Sequence, residues 1–288
     1  MVMRARRLCG GIAVLCVACG CSIKDLQTPQ RYEQGLVIIL PGIEGKGPLN
    51  VNIAKGLNQG GVPSAIEIHD WSALSVATWF INLTAEGRNR RCAADIARRI
   101  QVYQHRYPER PIHLIGHSGG GGVAVYALEA LPPDRPITSA MLLAPALSPE
   151  YDLRRALRRT TCGIWNFYSD KDVGFLRLGT TIFGTIDRAH GSAAGAVGFR
   201  EPPGIGTEGA KLYAKRLHQV RYTDRMARSG NMGGHSGWAS QQFTREWIAP
   251  LLYSQIAAVP VVAPRQIPDT LPALGGGEAN NQPGAADK

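Results

Sequence analysis

Metal-ligand spacings are missing from this chain of 288 residues. There is no Cys-x-x-Cys and no His-Glu-x-x-His, and the seven histidines are scattered, so no metal site and no cofactor are expected. The Gly-x-Gly-x-x-Gly turn of dinucleotide-binding proteins is missing too, and Gly42-Ile43-Glu44-Gly45-Lys46 is too short for a nucleotide-phosphate loop. Aromatic residues make up 7% of the chain, and none interleave with its arginine clusters, Arg88, Arg90, Arg91, Arg98, Arg99 and Arg154, Arg155, Arg158, Arg159. With no nucleic-acid-binding module beside them, these read as solvated helix faces, and no nucleic-acid partner is expected. No internal repeat is visible. The apolar stretch from Leu8 to Cys19 is too short to cross a bilayer as a mature helix.

That stretch, preceded by Arg4, Arg6 and Arg7, has instead the make-up of a secretory signal over residues 1–20. Ala18-Cys19-Gly20-Cys21-Ser22 resembles a bacterial lipobox, in which the cut falls before a cysteine that takes lipid. Cys21 is the candidate, with Cys19 a competitor and a plain secretory signal the alternative. By the same resemblance Ser22 favours sorting to the outer membrane, so the expected location is the cell envelope, held to the membrane by a lipid anchor. Cleavage there leaves 268 residues, enough for one large domain, and lowers the formal charge from +10 to +7. Of six cysteines, Cys92 and Cys162 then remain as free side chains that could pair in an oxidising compartment. Residues 21–34 read as a tether, 35–256 as the folded domain, and 257–288, rich in Pro, Ala and Gly, as a disordered tail.

Within the domain, Leu36-Val37-Ile38-Ile39-Leu40 is an unbroken apolar run of the kind found in parallel strands covered on both faces. Further strands are expected at 64–69, 111–115, 137–143, 164–168 and 218–222. Between them, residues 50–58 can form a short helix ended by Gly60-Gly61. Ala93, Ile96, Ile100, Tyr103 and Tyr107 recur at three- and four-residue steps until Pro108, which marks the clearest helix. Alternating strands and helices predict a doubly wound, mostly parallel α/β sheet with helices on both faces. Ligands are then expected at the carboxyl ends of the strands.

The strand at 111–115 leads into Gly116-His117-Ser118-Gly119-Gly120, which opens a helix. A chain that reverses so sharply needs small residues two positions either side of the serine, and Gly116 and Gly120 supply them. Ser118 is the candidate nucleophile. A serine hydroxyl needs a base to take its proton, and His235, in Gly233-Gly234-His235-Ser236-Gly237-Trp238, has a suitable loop setting. His117 belongs to the elbow itself and is read as pointing away from the base position. A carboxylate must orient the imidazole. Asp172 and Asp170, in Tyr168-Ser169-Asp170-Lys171-Asp172-Val173, are rivals, with Asp152 a minor alternative.

Together these motifs resemble the α/β-hydrolase superfamily, over roughly residues 35–255. The resemblance implies an α/β-hydrolase fold, places Ser118, Asp172 and His235 in the order of a catalytic triad, and makes Pro41-Gly42-Ile43-Glu44-Gly45 the oxyanion loop. The main-chain N–H groups of Gly119 and Ile43 would be the oxyanion donors. Because 148–163 leaves room for little more than one short helix, no large cap domain is expected. Residues 174–209 contain Phe175, Leu176, Leu178, Ile182, Phe183, Ile186 and Phe199, which either line an acyl pocket as a flap or pack as a surface excursion. Trp71, Trp79, Phe80 and Trp238 could line the mouth or belong to the core. The implied activity is that of an exported serine esterase or lipase on small-molecule or lipid esters. An acyltransferase or thioesterase on the same fold, or a non-catalytic envelope binding protein, is the alternative.

Overall fold

The computed structural model describes residues 23–72, 85–172, 185–188 and 191–257. Among them six strands form one sheet: β1 Leu36–Leu40, β2 Ala65–Ile68, β3 Ile112–His117, β4 Ser139–Leu143, β5 Ile164–Tyr168 and β6 Leu217–Arg221. Their order is β2-β1-β3-β4-β5-β6, and every neighbouring pair is parallel. The helices are α1 Pro29–Gln34, α2 Pro48–Gln59, α3 Glu86–Arg106, α4 Gly119–Ala130, α5 Arg154–Leu157, α6 Ala194–Val197, α7 Gly206–Arg216, α8 Gln241–Phe243 and α9 Ala249–Ala257. A π-helical turn, Thr244–Ile248, joins the last two.

Alternation along the strands builds two cores. Leu36, Ile38 and Leu40 of β1 pack with Ile96 and Ile100 of α3, Val123 and Leu128 of α4, and Leu157 of α5. Val37 and Ile39 face the other way, onto Ile53 and Leu57 of α2 and Phe243, Ile248 and Leu252 near the C-terminus. Strands buried on both sides need apolar residues at every position, and all five residues of β1 are buried. The chain leaves β1 for β2 on one side and crosses to β3 on the other. A crevice therefore opens at the carboxyl ends of β1 and β3, where the strand order reverses. This is an α/β-hydrolase fold, with the single short helix α5 in the interval 148–163.

One sequence expectation changes and two that were left open are decided. The segment read as a tether is folded from Ile23 onward. Leu26 is buried in the α2-side core, and the Arg31 guanidinium donates to the carbonyls of Val62 and Ser64 at 2.8 and 3.1 Å. The Tyr32 hydroxyl donates to Glu67 at 2.7 Å. So short a segment, begun by Pro29, carries too few apolar residues to show a period. Cys92 and Cys162 are free thiols. Cys92 lies on α3, with its Sγ 3.7 Å from the Trp71 carbonyl oxygen, whereas Cys162 sits in the turn before β5. Ile186 and Phe199, offered as pocket or flap residues, are buried in the α3–α4 core. The other aromatic and aliphatic residues of that stretch up to Phe183, with Trp79, Phe80, the signal, Cys21 and the tail from 258, lie outside the described residues.

One polar chain crosses the α9 side of the sheet. Ser139 Oγ donates to Gln255 Oε1 at 2.7 Å and lies 2.9 Å from His113 Nδ1, which makes Nδ1–H of His113 the donor to Ser139. His113 is fully buried and keeps the neutral ring, its pKa pushed down to about 3 by burial. An unfolded histidine titrates near 6.5, so the unfolded chain binds this proton first as the pH falls. The associated stability is complete above about pH 6.5 and is lost at about 1.4 kcal/mol per pH unit as the pH falls towards the folded value. From pH 6.5 to 5 this histidine is expected to cost about 2 kcal/mol. Urea melts of the wild type and His113→Asn across that range will show a shallower slope in the variant; parallel slopes would exclude His113 as the source.

Candidate active site

Ser118 is where β3 stops and α4 starts. Its backbone has φ 54° and ψ −122°, a left-handed conformation that a residue with a side chain adopts only under constraint. The constraint is visible on both sides. Ser118 N–H donates to Leu143 O at 2.9 Å, while Ser118 O accepts from Gly121 N and Ala146 N, each at 3.0 Å. A Cβ on Gly116 would run into the Gly120 carbonyl, and one on Gly120 into the carbonyl oxygens of Leu40 and Pro41. The glycines of the motif thus let α4 press against the end of β1.

His235 opens the 3₁₀ turn His235–Ala239. Its loop leaves a left-handed Gly233, whose N–H donates to Asn231 Oδ1 at 2.9 Å. Three residues on, Trp238 is completely buried, edge-to-face with Phe243 at 5.4 Å and Tyr222 at 6.4 Å, and fixes the loop to the core. Among the rival carboxylates, Asp172 is the one against this histidine, with Oδ2 2.8 Å from His235 Nδ1 and 2% of its side chain exposed. The tight turn after β5 turns it inward: Asp172 N–H donates to Ser169 O and Lys171 N–H to Ser169 Oγ, each at 3.1 Å. Asp170 lies on the surface paired with Arg221 at 2.7 Å, and Asp152 pairs with Arg154 at 2.6 Å.

The histidine loop meets the elbow through His117. Its Nε2 donates to the His235 carbonyl at 3.1 Å, and the two imidazole rings are 4.8 Å apart. His117 is therefore part of the site wall rather than directed away from it. The sequence reading gave no part to Glu44, yet its carboxylate oxygen lies 3.8 Å from His117 Nδ1, an ion-pair distance rather than a hydrogen bond. Burial would raise the Glu44 pKa, but the neighbouring imidazoles hold it below the usual carboxylate range. Burial is also the main influence on His235, and it lowers the imidazole pKa despite the Asp172 carboxylate.

Gly119 is the first residue of α4, so helix geometry leaves its N–H without a partner four residues earlier. Ile43, in the loop after β1, packs against it: Ile43 Cγ2 lies 2.9 Å from where a Gly119 Cβ would be. Trp71 and Trp238, offered for the mouth, are both buried, and Trp71 lies behind the β1 loop. Among the described residues no group of three or more His, Cys, Asp or Glu could hold a metal ion, and no helix is long and apolar enough to cross a membrane.

No protein-family model matches the chain, and no curated protein matches its sequence. Solved structures do resemble it. One is a poly(3-hydroxybutyrate) depolymerase from Bordetella parapertussis, 16% identical, with a TM-score of 0.46 over 81% of this chain and 82% of that one. Another is a cutinase-like protein from Cryptococcus sp., 14% identical, TM-score 0.42, over 79% and 97%. A third is the esterase domain of a Rhodothermus marinus protein, 12% identical, TM-score 0.42, over 80% and 90%.

The elbow's tolerance is testable. Gly120→Ala forces a methyl group against two main-chain oxygens and is expected to cost about 3 kcal/mol, a fall of about 6–12 °C in Tm. Gly87→Ala, in the first turn of α3 with open space around it, should hold or slightly raise Tm. Equal Tm values for Gly120→Ala and wild type would show that the elbow is less tightly packed than described.

Proposed function

We propose that this chain is an exported, lipid-anchored serine hydrolase that cleaves carboxylic esters through an acyl-enzyme. The observation that carries the reading is the strained Ser118 at the switch point of the sheet, next in the chain to His117, whose ring lies 4.8 Å from that of His235, itself paired with the buried Asp172. Ser118 attacks the ester carbonyl while His235 accepts its proton through Nε2. Asp172 keeps the proton on Nδ1 and stabilises the imidazolium that forms. The carbonyl oxygen, now an anion, is held by main-chain N–H groups of Gly119 and Ile43. The protonated His235 then returns its proton to the departing alcohol. Water repeats the sequence on the acyl-enzyme and releases the acid. The envelope location rests on the N-terminal signal and Cys21, and the substrate class is small or lipid esters.

A soluble protein starting at Ser22 and assayed on p-nitrophenyl esters from acetate to palmitate tests this. Ser118→Ala and His235→Ala should each lose about 10⁴-fold in kcat/KM, and Asp172→Asn nearly as much, with Asp170→Asn close to wild type. A fluorophosphonate should label wild type and not Ser118→Ala. Since burial lowers the His235 pKa, the base stays neutral below the ordinary imidazole range. The acid limb of kcat/KM should accordingly lie below about pH 6.5. A folded protein with neither ester hydrolysis nor Ser118-dependent labelling would sink the enzyme reading in favour of a binding role.

A further inference from the structure

Trp71 follows β2, and its indole is 2% exposed. Indole Nε1–H donates to the Pro41 carbonyl at 2.7 Å in a buried hydrogen bond. The six-membered ring next to that nitrogen, at Cζ2 and Cη2, lies 3.3 and 3.4 Å from the position of a Cβ on Gly119. One rigid ring thus bonds to the loop after β1 and packs against the first residue of α4. The Trp71 main chain is itself anchored, its carbonyl accepting from Arg88 Nη2 at 2.8 Å. Beside it, Asp70 ties the loop after β2, which carries Trp71, to the loop after β1 from the solvent side: its carboxylate accepts from Lys46 N–H and Ser72 N–H at 3.0 Å each and from Ser72 Oγ at 2.6 Å.

We propose that Trp71 is a positioning residue that sets the distance between the two walls of the oxyanion site, Pro41–Ile43 and Gly119. The inference rests on the hydrolase reading above. Its physical basis is that main-chain donors stabilise an anion only when they are pre-aimed, and two walls that follow different strands need a common contact to fix the gap between the donors. The loop after β1 lies outside the sheet ladder, and Gly119 has no side chain with which to pack. A planar ring with an in-plane donor fixes both at once, and it stands with Ile43 over position 119, where a Cβ would come first against Ile43 Cγ2 and then against the indole. Trp71 touches no reacting atom in this scheme. It acts through the main chain that it holds.

Trp71→Phe keeps an aromatic ring and deletes the donor. The expected result is a fall in kcat of about ten- to a hundredfold with KM within about twofold, because the misplaced donors matter in the transition state and little in the ground state. Affinity for a boronic acid, whose Ser118 adduct mimics the tetrahedral intermediate, should fall by the same factor. Asp70→Ala, at an exposed position, loosens the same loops without touching the core and should give a smaller loss of the same pattern. It carries the test if Trp71→Phe folds poorly. A purely structural role would lower Tm and leave kcat and boronate affinity within about twofold in both variants, which overturns the proposal and leaves the hydrolase reading intact. A wild-type protein that binds no boronate and is not labelled at Ser118 would overturn both.

Discussion

The structure depends on one close approach, that of the first turn of α4 to the carboxyl end of β1. Gly120 lies against the Leu40 and Pro41 carbonyls, and Gly116 against the Gly120 carbonyl, so neither position has room for a methyl group. With the helix held there, the chain at Ser118 has no right-handed path from strand to helix and takes the left-handed one. Strain of that kind costs on the order of 1–3 kcal/mol and persists only where the surroundings enforce it. Here they are the parallel ladder of β1, β3 and β4 and the two hydrogen bonds accepted by the Ser118 carbonyl. The serine is placed by main-chain packing, and its side chain contributes little to that placement.

The groups proposed to serve the serine come from the other half of the sheet. Asp172 follows β5 and His235 lies beyond β6, so the pair closes only when both strands are docked. A carboxylate 2% exposed would be costly without a partner, and the His235 Nδ1–H supplies one. The aromatic cluster of Trp238, Tyr222, Phe167 and Phe243 fixes the histidine loop from below, and His117 meets its main chain from the elbow side. Both imidazoles and the Glu44 carboxylate therefore share one small region, where burial opposes charge on His235 and proximity to imidazole favours charge on Glu44.

Much of this was legible in residue order. The β1 run is apolar because both faces are covered, and the elbow is readable because its glycines answer to a steric demand that any such turn makes. Asp172 against Asp170 was less secure, since both follow the same strand. The difference is orientation set by the Ser169 turn, and Arg221, 51 residues away along the chain, holds Asp170 outside. The parts that escaped notice share a cause. The segment 23–34 and the helices α7, α8 and α9 are short or interrupted, with Pro29, Gly209 and Pro250 breaking the apolar period, and their docking depends on residues far away in sequence. The roles of Glu44, His117 and Trp71 arise from contacts between loops that follow different strands, which no local spacing encodes.

These features also bear on how little sequence such a site demands. In the proposed reaction the oxyanion donors are main-chain groups, while the elbow needs small residues on steric grounds and the histidine loop needs a large buried anchor of unspecified kind. In the proposed scheme side-chain chemistry is fixed at Ser118, His235, Asp172 and Trp71. Everything else requires a shape or a burial state that many residues supply. The geometry of the elbow and of the sheet edge beside it is thus held by backbone approach distances more than by the identity of the side chains around it.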